Sequence, residues 1–277
     1  MGREIKSKVL EKLKELEKTS LPRSIELYIR LTRLQLEARS TVRIEEAHLS
    51  RDAVSERVGL GVPSLSFDEM ALDWVKVESL LRQALSIISQ YSPSVDPQNN
   101  IPLRETVRSW YNSKSIPYNG MDRDILAVAV HTAVKPFLAE WSEVLLPMVS
   151  QEQWRRGYCP VCGGAPNFAY LDQEQGARWL CCPRCDAEWL FKRLECPFCA
   201  NEEQKELGFF ADEEGGYKVY FCESCKGYIK AVDLRKEDRN VLVPLEWVST
   251  LDLDVQACER GYRAGVMVKQ INIEGNI

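Results

Sequence analysis

Cysteine is missing from the first 158 residues of this 277-residue chain and then supplies ten side chains. Histidine is scarce throughout, with only His48 and His131. No apolar run reaches the ~18 residues that a membrane-spanning helix needs, so membrane insertion is not expected. The opening MGREIKSKVLEKLKELEKTS is charged throughout and lacks the apolar core of a secretory signal. Lys6 stands where the myristoylation pattern wants Ser or Thr. These features predict a cytoplasmic protein. The Walker loop, dinucleotide fingerprint and metallohydrolase motifs are also missing, so no catalytic residue is assigned and an enzyme is not expected. A net charge of -5 and a pI near 5.4 give no general pull toward nucleic acid or anionic membrane.

What the chain does have falls into two compositions. Residues 1–156 read as a helical scaffold domain. Ile5, Val9, Leu13 and Leu16 recur at helical spacing, and a second helix is expected from about Pro22 into the forties. Ser66–Glu69 has capping-box form and is expected to open a helix running to Tyr91, before the Pro-rich SPSVDPQNNIP. Further helices are expected at 103–112, 122–139 and 140–156, with Pro136 and Pro147 kinking or interrupting them. His131 reads as a partly buried helix residue rather than a ligand, because no second histidine is near it in sequence.

From Tyr158 the chain changes to Gly, Pro and short aromatic or β-branched runs between four Cys-x-x-Cys pairs. The pairs are Cys159/Cys162, Cys182/Cys185, Cys196/Cys199 and Cys222/Cys225. The first and second are separated by a hairpin-length segment with the turn signal DQEQG, the third and fourth by one with DEEGG. This is one unit, knuckle–hairpin–knuckle, used twice. In a reducing compartment such pairs read as metal or redox chemistry rather than disulfides. Two knuckles supply four thiolates for a tetrahedral ion, with the tight turn aiming backbone N–H groups at the sulfurs. Gly163, Gly164, Asp186, Asn201 and Gly227 are the residues expected to accommodate the turns. The expected ligands are Cys159, Cys162, Cys182 and Cys185 at a first site and Cys196, Cys199, Cys222 and Cys225 at a second. A cross-braced alternative pairs the first knuckle with the third and the second with the fourth. Cys181 falls one residue early for the turn and is expected to be a packed thiol, and Cys258 a core residue of a helix. Two metal ions are expected, and sulfur-only ligation leaves zinc and iron both open.

The order YCPVCGGAP, CCPRCDAEW, RLECPFCAN, YFCESCKGYIKAVD and a late LDLDVQACERGYRAG resembles the formate dehydrogenase accessory protein family, FdhE. The resemblance implies an α+β chain, in which a helical N-terminal domain precedes two tandem rubredoxin-like, zinc-ribbon units and a short C-terminal helix. The boundaries so read are 1–156, 157–190 for the first ribbon, 191–233 for the second and 234–277 for a closing strand and helix. It also implies a cytoplasmic maturation factor, acting on the catalytic subunit of a molybdenum- or tungsten-pterin formate dehydrogenase and carrying metal on the eight knuckle cysteines. Homo-oligomerisation is left open.

Two other functions compete. One is a thiol-redox or sulfur-handling protein using a CPxC pair, which needs an accessible thiol of depressed pKa. The other is a zinc-ribbon nucleic-acid-binding protein, which wants a basic stripe with aromatics, whereas both hairpin tips here are acidic. Trp189, Arg193, Tyr228 and Lys230 flank the knuckles. They are candidates for partner contact or, equally, for hairpin packing (Trp189, Tyr228) and solvated charge (Arg193, Lys230).

Overall fold

A computed structural model describes residues 3–16, 21–44, 49–118, 120–236 and 242–264; His48 lies outside them. The chain divides into two compact units, Met1–Ala47 with Leu65–Trp141, and His48–Ser64 with Ser142–Ile277.

The first unit is helical: α1 (Arg3–Leu16), α2 (Arg23–Arg39), α4 (Trp74–Ser89), α5 (Leu103–Tyr111) and most of α6 (Arg123–Leu145). The short α3 (Arg51–Leu60) belongs to the second unit. Apolar residues at helical spacing form the core, including Val9 and Leu13 of α1, Ile29 of α2, Val77, Leu81, Ala84 and Leu85 of α4, and Val130, Val134 and Leu138 of α6. Arg39 is buried with them. Its Nε donates to Glu140 Oε1 at 2.7 Å and its Nη2 to the Ala139 carbonyl at 3.1 Å, which tethers α2 to α6. His131 is half-buried and stacks on Trp110, with ring centres 5.9 Å apart, in keeping with a helix-packing role.

Several sequence expectations are corrected here. Glu69 does receive the Ser66 backbone N–H, but the pair closes a turn. The helix starts at Trp74, where the Asp73 carboxylate accepts the Lys76 N–H at 3.0 Å. α6 runs unbroken through Pro136, since burial along this apolar helix outweighs the ~3 kcal/mol that an internal proline costs. It ends in a 3-10 turn at Leu146–Met148, so no separate helix spans 140–156. α3 was not expected. Its pattern is weakly amphipathic, and it is marked mainly by its caps, Ser50 accepting from Ala53 N and Gly61 at φ 74°.

The second unit is built on one mixed sheet. Its strands are β1 (Phe168–Leu171), β2 (Arg178–Cys181), β3 (Glu188–Phe191), β4 (Leu207–Ala211), β5 (Tyr217–Cys222), β6 (Gly227–Asp233) and β7 (Arg263–Ala264). The order is β3-β2-β1-β6-β5-β4, with β7 pairing the start of β6. Each ribbon is thus a three-stranded antiparallel meander, with a third strand after its second knuckle. The two meanders are joined by a parallel seam, Phe168↔Lys230 to Leu171↔Asp233. The hairpin turns repeat one construction. Asp172 N donates to Ala177 O at 3.0 Å and Asp212 N to Tyr217 O at 3.1 Å, while the two carboxylates accept amides within the turns.

α7 (Val243–Ser249) and α8 (Leu251–Glu259) follow the sheet, so the closing segment holds two helices among its described residues. Leu253 and Ala257 of α8 pack on Val219 and Tyr228, with Tyr262 beside them. Lys230 Nζ, from the centre of β6, donates to Asp254 Oδ2 at 2.7 Å and to Thr250 O at 3.0 Å. Tyr228 Oη donates to the other Asp254 oxygen at 2.8 Å. Cys258 is exposed, a correction to its reading as core: Ala257 takes the inward position instead. No helix among the described residues is long and apolar enough to cross a membrane.

Candidate metal centres

The knuckles share a backbone pattern. Cys159, Cys182 and Cys196 each donate their N–H to the carbonyl five residues on, at 2.8–2.9 Å. Each also accepts at its carbonyl the N–H four residues on, at 2.9–3.1 Å. The residue right after the second cysteine must therefore turn left-handed. It does so at all four knuckles: Gly163 (φ 70°), Asp186 (57°), Ala200 (58°) and Lys226 (56°). Asp186 and Gly163 match the sequence expectation. In the third knuckle the left-handed residue is Ala200 rather than Asn201, because position in the turn outranks residue preference. Asn201 instead sends its side-chain amide to Ser224 Oγ at 2.7 Å and toward Cys222 Sγ at 3.9 Å.

Folding brings the eight sulfurs into two nests, Cys159/Cys162/Cys182/Cys185 and Cys196/Cys199/Cys222/Cys225, with all four sulfurs of each within 4.8 Å of one another. The cross-braced alternative is thereby excluded. In the first nest Cys159–Cys185 is 3.4 Å and Cys162–Cys182 3.5 Å; in the second Cys196–Cys225 and Cys199–Cys222 are both 3.7 Å. A tetrahedral ion with metal–sulfur bonds near ~2.3 Å wants sulfurs about 3.8 Å apart, so both nests fit a four-thiolate ion. Backbone amides also point at the sulfurs, Val161 N to Cys159 Sγ and Gly227 N to Cys225 Sγ, each at 3.4 Å. A side chain at Gly164 would crowd the nest: a Cβ there would lie 2.9 Å from Arg184 Cδ and 3.3 and 3.4 Å from the sulfurs of Cys182 and Cys162.

Charge makes the same case. Burial pushes the Cys159 and Cys185 thiols well up, while hydrogen bonds from Cys159, Cys182 and Cys185 hold Cys162 well down. One thiolate shared by its neighbours is what such a nest carries alone, and four require a cation. In the second nest a hydrogen bond with Cys225 and burial raise Cys196, and burial takes Cys199 to about 11. Burial also opposes ionisation of Cys222, but the Cys225 amide, the Cys199 thiol and further donors outweigh it and bring it to about 7.

The surroundings of the nests differ. The first is fully buried and is braced from residues 61–64. Ser64 N and Oγ donate to the Pro160 carbonyl at 2.8 and 3.0 Å, and Tyr158 Oη donates to Gly61 O at 2.7 Å. In the second nest Cys199 and Cys225 reach toward solvent. Cys181 is buried on the opposite side of its strand from the knuckle, with Phe168, Val232 and Leu234, as a packed thiol. Of the flanking candidates, Trp189 is buried and donates Nε1–H to Arg156 O at 2.8 Å, and Tyr228 and Lys230 are buried under α8. Arg193 is the exposed one of the four. The network of Lys230 and Asp254 went unread in the sequence because its two halves lie 24 residues apart.

The family description "FdhE, central domain" matches residues 158–193, from the first knuckle to just beyond β3. A "Protein FdhE homolog" of Aquifex aeolicus is 29% identical over 221 residues, 77% of this chain and 76% of that protein. One of Pseudomonas aeruginosa is 32% identical over 148 residues, 47% of each chain. The match to a Shewanella oneidensis homolog spans 58% of that protein's length. "The crystal structure of the FdhE protein from Pseudomonas aeruginosa" shares the fold, with a TM-score of 0.64 at 20% identity over 96% of this chain and 95% of that one. With the four knuckles in their nests, these likenesses support the FdhE family for this chain.

Proposed function

We propose that this chain is a cytoplasmic accessory protein of formate dehydrogenase maturation. It binds the catalytic subunit of a molybdenum- or tungsten-pterin formate dehydrogenase and is required for that enzyme's activity. Its work is binding rather than catalysis. Residues 1–156 serve as the helical scaffold. The eight cysteines of the two nests hold two ions, zinc or iron, which fix the ribbons and shape the surface offered to the client. The observation that carries this reading is the pair of four-sulfur nests within a chain similar to the FdhE family. Four protein ligands per ion complete a tetrahedron, the arrangement of a structural rather than a catalytic metal.

Affinity capture of the tagged chain from its native host tests the proposal. Recovery of a pterin-dependent formate dehydrogenase catalytic subunit is expected. Recovery of RNA polymerase, ribosomes or nucleic acid in its place would overturn the reading in favour of a nucleic-acid ribbon. Metal analysis of the same material should find two equivalents per chain. A thiol-redox function draws support from one observation, the accessibility of Cys199 and Cys225 beside a Cys222 thiol near neutral pKa. Rapid alkylation of those thiols in fully metal-loaded protein would move the assignment that way.

A further inference from the structure

A buried arginine attends each nest. At the first it is Arg184, inside the CPRC knuckle, whose Cδ would lie 2.9 Å from a Cβ at Gly164. Hydrogen bonds from the three other thiols are the main cause holding Cys162 down, and the Arg184 charge adds to them. At the second nest the arginine comes from the other ribbon. Arg178 opens β2 of the first ribbon, yet its Nη1 donates to the carbonyl of Glu195, the residue before Cys196, at 3.1 Å. Its guanidinium carbon lies 5.8 Å from the centre of the Phe191 ring and 5.3 Å from that of Tyr220. Arg178, Cys196 and Cys222 border one cavity of about 30 Å³, with Tyr220 and Phe198 also on its wall.

Arg178 is only 4% exposed, and its Nε and Nη2 have no hydrogen-bond partner. Those two donors form the side edge of the guanidinium, the fork that elsewhere grips a carboxylate. The nearby carboxylate of Glu195 is held by Lys192 at 2.8 Å. A buried cation without an anion is costly, and burial accordingly pulls the Arg178 pKa down to about 10. Four thiolates around a divalent ion carry a net charge of two minus, which is the missing anion.

We propose that Arg178 is the counter-charge of the second four-cysteine metal site, a cation lent by the first ribbon that favours the divalent-metal state of the second. This rests on the reading that the second nest holds a metal. A divalent ion leaves the site with one more negative charge than a ferric ion does, so Arg178 selects for zinc or ferrous iron. It also couples the two ribbons, because Arg178 opens β2, the strand that runs directly into Cys182 of the first nest.

The test uses the full chain loaded with cadmium-113, where each nest gives its own NMR resonance, and competition with a chromophoric chelator. Arg178→Met keeps the apolar stem and removes the charge; Arg178→Lys keeps the charge and loses the planar fork. Expected is a roughly tenfold to hundredfold loss of cadmium affinity at the second site in Arg178→Met, with the second resonance displaced and the first unmoved. Arg178→Lys should stay within about threefold of wild type, the smaller effect expected for a retained charge. If the guanidinium only fills space, the order reverses and Met outperforms Lys, which overturns the proposal. Equal losses in both variants, or no loss in either, overturn it as well. Should Arg178→Met be insoluble, Arg178→Gln against Arg178→Lys makes the same comparison. A wild-type chain that binds fewer than two ions would sink the metal reading itself, and that failure appears before any variant is made.

Discussion

The two four-cysteine nests share knuckle spacing, turn hydrogen bonds and a left-handed residue at the same place, yet they are covered differently. All four sulfurs of the first are buried, in a knuckle braced by Ser64 and Gly61. The second leaves Cys199 and Cys225 within reach of solvent. Identical local chemistry is therefore set in two environments by what packs on it. A closed nest resists exchange and acts as a plug in the core. An open one should exchange its metal and expose its thiols more readily.

The largest test of that contrast is removal of ligands. Cys159→Ser with Cys162→Ser should cost more than about 4 kcal/mol and leave little soluble protein, since structural metal binding is itself folding energy. Cys196→Ser with Cys199→Ser should unfold the second ribbon more locally, with loss of client activation. Urea denaturation and a formate dehydrogenase activity assay read the two, and full activation by a soluble chain lacking the second metal would break the comparison.

Bracing comes next in size. Asp254→Ala strands Lys230 in the core without its anion and should destabilise the second ribbon by about 3–5 kcal/mol, seen as a lowered Tm. On the kinetic side, a chelator should empty the second nest at least about tenfold faster than the first, because access governs exchange. Once a chelator has begun to strip the metal, iodoacetamide should label Cys199 and Cys225 ahead of the four first-nest thiols, whereas the fully loaded chain should resist it at all eight, as mass spectrometry of peptides would show.

Acid probes the seam between the ribbons. Arg235 and Lys218 hold the Asp233 carboxyl well below its usual range. Its pKa is lower folded than unfolded, so the stability it contributes is present above about pH 4 and is lost as pH falls through the folded value. Asp233→Asn should therefore lower stability at neutral pH and flatten the acid limb of a stability–pH curve. The smallest effect is backbone relief. Ala200→Gly removes the Cβ from a left-handed position and should stabilise the third knuckle by about 0.5–1 kcal/mol, where Asn201→Gly should not.

Much of this site could be read along the chain because metal ligation by Cys-x-x-Cys is a local matter. The inner side of α1 was equally legible, from the helical spacing of Val9 and Leu13. The sequence did not betray the left-handed Ala200 and Lys226, since neither residue type prefers that conformation and only the turn's hydrogen bonds impose it. Nor did it show the third strand of each ribbon or the parallel seam. EWLF and GYIKAVD carry no turn signal to their partners, and Phe168↔Lys230 pairs residues 62 apart. Of the flanking residues, Trp189 and Tyr228 follow their packing reading, while Lys230, read as a partner contact or a solvated charge, is instead a buried cation that the fold pairs with Asp254.

By itself, the sequence determined the two-part composition, the four knuckles and the helical character of the first half, all properties of residues within a few positions of one another. Only the tertiary structure decided which knuckles share a nest, that one nest is sealed and the other open, and that an arginine of the first ribbon borders the same cavity as Cys196 and Cys222 of the second. Each of those depends on strands paired across long stretches of chain, where burial and charge compensation, rather than local preference, set the outcome.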